Sequence, residues 1–229
     1  RVGHLDLEIS VDFENRQING TATYQMILSE NASHIVFDTR NLVIEKVEVD
    51  GEQKEFQLGE NDPTLGQSLT IPVSPDAKEV GITYHTTEGA DALQWLSPEQ
   101  TAGKEHPFLF TQSQAILART WLPCQDSPGI RFTYSAQVKV PSNLMAVMSA
   151  SNPQEKNNEG AYSFEMNQAI PSYLMALSVG DLAFGSIGPR TGVYAEPSVL
   201  EKAVYEFAQM EDMLVAAEKL YGKYAWDRY

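Results

Sequence analysis

A mainly β protein, built as an antiparallel sandwich or open barrel and ending in one long amphipathic helix, is what the sequence predicts. Three observations predict it: strict apolar–polar alternation before Ala90, a second set of alternating segments after Ile130, and a switch to helical spacing from Ser198. Alternation puts successive side chains on opposite faces of a sheet, whereas apolar residues three and four apart share one face of a helix.

In the first set, Leu5, Leu7, Ile9, Val11 and Phe13 alternate with His4, Asp6, Glu8, Ser10 and Asp12, giving a strand with one buried and one wet face. A polar turn near Glu14–Gln17 leads into a second strand, Gly20 to Leu28, and Ile35–Asp38 and Leu42–Val49 follow. Asp50-Gly51 is a strong hairpin turn, with Glu52–Leu58 as the returning strand. Ser68–Val73 and Val80–Thr86 complete the set. Short strands separated by Gly, Pro, Asn and Asp favour an antiparallel arrangement. The second set comprises Phe132–Val140, Leu144–Ser149, Tyr162–Met166 and Tyr173–Val179, with SNPQEKNNEG (151–160) as a hairpin tip.

From Ser198 the apolar positions are Leu200, Ala203, Val204, Phe207, Met210, Met213, Leu214, Ala217, Leu220 and Tyr221. They form one stripe on a helix of about six turns, and its Met and aromatic residues read as core rather than as a cofactor box. Ser198 and Glu201 have the spacing of a capping box, and Gly222 stands where a C-terminal cap belongs.

Composition narrows the function classes. Thirty-one acidic against 16 basic residues give a formal net charge of −15, a field that disfavours nucleic acid and anionic membrane surfaces; it suits cationic peptides or, more simply, is a solvated surface with no specific partner. No run of 18 apolar residues occurs, so no transmembrane helix is expected. The first residue is Arg1, which leaves a removed signal peptide open; a cytoplasmic location is the expectation. A single cysteine rules out an internal disulfide, and Cys124, without a basic neighbour nearer than Arg119 or Arg131, reads as a buried structural thiol. The histidines His4, His34, His85 and His106 include no pair four residues apart, so none forms a helical zinc pair.

Between the two strand sets lies ALQWLSPEQTAGKEHPFLFTQSQAILARTWLPCQD (92–126), which has neither helix nor strand periodicity. Its TQSQA stretch is the sharpest candidate for a site. The amides of Gln112 and Gln114 can present a carbonyl oxygen to a ligand or satisfy buried backbone groups. Ser113 lacks the Gly-x-Ser-x-Gly elbow of a nucleophile. Arg119 and Asp126 read as a structural ion pair or turn cap, because Asp126-Ser127-Pro128-Gly129 is a good turn sequence. His106 has no second ligand at a useful spacing and reads as a hydrogen-bonded polar residue.

This segment, with IRFTYSAQVKVPSNLMAVMSA (130–150), PSYLMALSVGDL (171–182), IGPRTGVYAE (187–196) and YGKYAWDRY (221–229), closely resembles the leukotriene A(4) hydrolase branch of the zinc aminopeptidases (gluzincins), in the same order. The resemblance implies a saddle-shaped front domain of antiparallel and mixed sheets over residues 1–180. Residues 181–229 would then be the truncated start of a thermolysin-like catalytic domain, its first strands and long helix. It implies a full-length enzyme that uses zinc to remove N-terminal residues from peptides. The family's Gly-x-Met-Glu-Asn loop and His-Glu-x-x-His motif are absent here, so the fragment alone is expected to bind no zinc and to be inactive. Gln112, Ser113 and Gln114 fall in the family's substrate-binding loop, and Gln114 occupies the position where most other gluzincins place a Glu against the substrate's free amine. The implied partners are a peptide substrate and the remaining catalytic domain of the same chain, with self-association through the 198–221 helix where that domain is missing. The alternative is a free-standing, non-catalytic β-sandwich binding module, which has no use for the Tyr205–Trp226 helix.

Overall fold

In the computed structural model, which describes residues 1–229, the first alternating run is β1 (Val2–Asp12), with Leu5, Leu7, Ile9 and Val11 buried and Glu8 and Ser10 exposed. β1 is the third strand of a seven-stranded sheet. Ahead of it come β13 (Ala161–Pro171) and β11 (Arg131–Lys139); after it come β2 (Gln17–Met26), β8 (Glu79–Thr86), β4 (Leu42–Val49) and β5 (Glu52–Gln53). Every pair is antiparallel except β1 with β11, where Leu7 lies beside Ala136 and Ile9 beside Val138. A parallel pair cannot be closed by a tight turn, and here everything between the two strands forms the crossover. The sheet is therefore mixed.

Two smaller sheets complete the front part. One is ordered β3 (His34–Thr39), β7 (Gln67–Pro72), β6 (Gln57–Leu58), and its Phe37 ring lies 4.9 Å from Tyr24 of the large sheet. The other is ordered β12 (Met145–Met148), β14 (Leu177–Gly180), β10 (Phe108–Thr111), β9 (Leu93–Leu96). A single cluster of 44 buried apolar side chains runs from Val2 to Leu182 and joins all three sheets. Gly180 is required where β14 meets β10, since a Cβ there would stand 2.2 Å from the Phe108 ring.

The Asp50-Gly51 hairpin forms as expected, both residues at positive φ (50° and 80°), and the Asp50 carboxylate also accepts hydrogen bonds from the Lys78 and Glu79 amides. Other expectations are corrected. The strand expected over 52–58 is two short pieces, because β5 pairs with β4 while β6 pairs with β7 in another sheet. Residues 151–160 are a loop but not a hairpin tip: β12 and β13 belong to different sheets, so the loop crosses between layers. The strand expected from Tyr173 starts at Leu177, after a 3-10 turn at Ser172–Leu174. β9 and β10 lie inside the stretch that shows no strand periodicity, and each has only four residues in which to show one.

After Leu182 come the hairpin β15 (Ala183–Ser186) and β16 (Gly192–Ala195), then α1 (Leu200–Glu206) and α2 (Met210–Tyr221). The expected helix is thus interrupted at Phe207–Gln209, where the Met210 amide reaches Phe207 in a three-residue turn at 2.9 Å. The Ser198–Glu201 capping box does not form; Val199 stands at the cap before Leu200 and supplies no side-chain hydrogen bond. Gly222 does end the helix, at φ 92° with its amide on the Glu218 carbonyl. The apolar stripe is only partly core. Val204 and Leu200 pack on the hairpin at Gly185, and Leu214 is buried, but Tyr205, Phe207, Met213, Leu220 and Tyr221 face solvent. No helix is long and apolar enough to cross a membrane.

Candidate functional site

The TQSQA stretch leaves the end of β10 and is fastened from below. The Thr111 hydroxyl accepts the Leu177 amide at 2.9 Å, and the Gln112 amide donates to the Ala92 carbonyl at 2.8 Å. Ser113 is buried; its hydroxyl donates to the Met175 carbonyl at 2.8 Å and accepts the Trp121 indole N–H at 3.1 Å. With its proton committed to a carbonyl and no histidine beside it, Ser113 anchors the loop. The two glutamines on either side therefore point outward, since successive side chains of an extended segment alternate. Both are exposed. The Gln112 side-chain oxygen accepts the Gln114 amide at 3.2 Å, while the Gln114 side-chain amide has no partner in the chain. The Gln114–Ala115 peptide bond is cis.

Behind the loop, residues Ala118–Thr120 form a buried 3-10 turn. Arg119 donates through Nε to Asp126 Oδ2 at 3.0 Å, through Nη1 to the Leu65 carbonyl at 2.7 Å and through Nη2 to the Asp126 carbonyl at 3.2 Å. Asp126 Oδ1 accepts the Ser172 hydroxyl at 2.6 Å, and both charged side chains are buried. This is the structural ion pair expected from sequence, and it ties the loop to the β7 side of the core. Cys124 is wholly buried, and burial first, then the Asp126 and Asp38 carboxylates, push its thiol well above the usual range against the opposing pull of Arg119. It is a structural thiol. The Asn143 side-chain amide donates to His106 Nδ1 at 3.2 Å.

Three features went unnoticed in the sequence. Arg190 bridges Glu211 and Glu218 of α2, with Thr191 donating to Glu211 at 3.0 Å, and this network docks the helix on the hairpin. The Glu196 carboxylate accepts the Ala102 and Gly103 amides at 2.7 and 3.2 Å, pinning the 101–106 loop to the segment after β16. A cavity of about 660 Å³ opens at the seam between β12–β13 and the β15–β16 hairpin, bordered by the aromatic tail Tyr224–Tyr229. The only sequence sign of it is the aromatic density of YGKYAWDRY.

The donor set does not fit a zinc ion. His4 pairs with Thr133 and Asp6, His34 with Ser33, His85 with Glu45 and His106 with Asn143, on separate parts of the surface. No three His, Cys, Asp or Glu side chains are grouped as metal ligands.

The chain belongs to the Peptidase M1 N-terminal domain family, which matches residues 2–174. It is 42% identical over 239 residues to leukotriene A-4 hydrolase of Xenopus laevis, aligning all of this chain with 39% of that protein. It is 38% identical over 251 residues to aminopeptidase B of Mus musculus, covering 99% of this chain and 38% of that one. The structure of native yeast LTA4 hydrolase superposes on the whole chain with a TM-score of 0.93 at 36% identity, using 36% of that chain. An M1 zinc metallopeptidase from Deinococcus radiodurans shares the fold, with a TM-score of 0.73 at 20% identity over all of this chain and 55% of its own. The chain spans 39% or less of the length of these curated relatives.

Proposed function

We propose that this chain is the front part of a zinc aminopeptidase of the leukotriene A(4) hydrolase type, and that it supplies one wall of the cleft from which N-terminal residues of peptides are removed. In this arrangement residues 1–180 are the front domain and 181–229 begin the catalytic domain. The core cluster ending at Leu182 supports that division. Zinc and the hydrolytic groups belong to the part of the enzyme that follows, and the chain alone is inactive.

The observation that supports the cleft role is Gln114: an exposed amide without a protein partner, on a loop held from below by Ser113, Trp121 and Met175. Its carbonyl oxygen can accept a hydrogen bond from a peptide's terminal ammonium. Gln112 braces it by accepting the Gln114 amide. Hydrogen bonds to charged groups contribute on the order of 1.5–3 kcal/mol, so Gln114→Ala in the full-length enzyme lowers kcat/KM on aminoacyl anilides by roughly 10- to 100-fold. Zinc content and folding stay unchanged, because the residue belongs to the other domain. Near wild-type efficiency for that variant would overturn the role of Gln114. Chelator-sensitive turnover by the purified 229-residue chain would overturn the assignment of catalysis to the missing part.

A further inference from the structure

The seam cavity has a chemistry unrelated to the glutamine loop. One wall is the ring pair Phe184–Tyr194, with centroids 5.0 Å apart, carried on the β15–β16 hairpin. Beside it runs the tail, bound to the hairpin where the Tyr229 amide donates to the Arg190 carbonyl at 2.8 Å; in it Tyr224 lies 5.5 Å from Trp226 and 5.9 Å from Tyr229. Two tethers hold the walls to the front domain: Tyr194 donates its hydroxyl to the Pro153 carbonyl at 2.9 Å, and Gln168 donates to the Ala225 carbonyl at 3.2 Å.

The charges around this space favour a cation. Glu165 and Asp227 line the cavity and take part in none of the chain's ion pairs. Arg228, the single basic residue of the lining, places its guanidinium 5.2 Å from the centre of the Phe184 ring. The chain's own cation thus already occupies one aromatic face, and aromatic faces attract cations through the ring quadrupole. The net charge of −15 adds a long-range field of the same preference. A volume of about 660 Å³ falls within the usual range for organic ligands and far exceeds the needs of a metal ion.

We propose that this cavity binds an alkylated ammonium cation, held against the aromatic rings of the tail and neutralised by Glu165 and Asp227. The site is independent of the cleft role proposed for Gln114. The test titrates the 229-residue chain with choline and with its neutral isostere 3,3-dimethylbutan-1-ol, read by calorimetry and by tryptophan emission. Saturable choline binding about tenfold tighter than the isostere is expected, equivalent to roughly 1.4 kcal/mol. Tyr224→Leu and the exposed, fold-neutral Glu165→Gln each weaken choline several-fold and leave the isostere unchanged. Arg228→Ala, which vacates the Phe184 face, tightens choline. Trp226→Phe abolishes the emission change while calorimetric binding persists. Equal affinity for choline and the isostere would overturn the proposal, as would choline binding unaffected by both Tyr224→Leu and Glu165→Gln.

Discussion

Replacing Asp126 by alanine exposes how the candidate loop is held. The carboxylate is 1% exposed and accepts from Arg119 Nε at 3.0 Å, from the Arg119 amide at 3.3 Å and from Ser172 at 2.6 Å. Its removal leaves the Arg119 guanidinium, 6% exposed, with two carbonyl acceptors and the Asp38 carboxylate at 3.6 Å. Removing one partner of a buried ion pair costs about 3–5 kcal/mol, since the remaining charge stays desolvated. Asp38 retains part of the compensation, which places the loss near the lower end, at about 3 kcal/mol. For a chain of this size each kcal/mol shifts Tm by about 2–4 °C, so Tm falls by about 6–12 °C. Urea titration followed by the emission of buried Trp121 should show a lower midpoint with an unchanged slope. Hydrogen exchange should accelerate over Ser113–Leu122, because Arg119 and Trp121 link the ion pair to the loop floor. Asp126→Asn, which keeps an acceptor for Ser172, should lose less. A stability change under about 1 kcal/mol for Asp126→Ala would refute the reasoning, showing that water, Asp38 and the two carbonyls suffice to compensate Arg119.

The Tyr84 hydroxyl is buried with no hydrogen-bond partner, whereas Tyr24 donates to the Pro123 carbonyl at 2.6 Å. Tyr84→Phe should therefore raise stability and Tyr24→Phe lower it, each by about 1 kcal/mol in denaturant titrations. Burial raises the Tyr24 and Tyr84 phenols above their ordinary value of 10.0. Raised acids stabilise the fold below the unfolded value and lose that contribution as pH rises, so stability should decline from about pH 10 upward. The Cys124 thiol, raised from 9.0 by the same cause, should not react with disulfide reagents in native protein near pH 8 and should react once the chain is unfolded. The exposed Tyr205, Phe207, Met213, Leu220 and Tyr221 should drive concentration-dependent association of the isolated chain, and Tyr205→Ser with Leu220→Ser should suppress it in light scattering.

Sequence alone determined the elements whose signal is local. β1 was legible because five apolar residues alternate strictly, the Asp50-Gly51 turn because positive φ demands such residues, and the Gly222 stop for the same reason. The structural character of Arg119, Asp126 and Cys124 was legible from residue type and neighbours. Tertiary structure decided which strands meet. The parallel pairing of β1 with β11, the division of 52–58 between two sheets and the layer crossing at 151–160 depend on contacts between residues far apart in the chain, which no local period encodes. It also separated Ser113 from its neighbours, turning the hydroxyl inward to Met175 and Trp121 and leaving the Gln112 and Gln114 amides outside. The α1–α2 stripe shows the same limit: spacing marks an apolar face, but burial needs a second surface, and here it covers Leu214 fully and Leu200, Ala203, Val204 and Met210 in part.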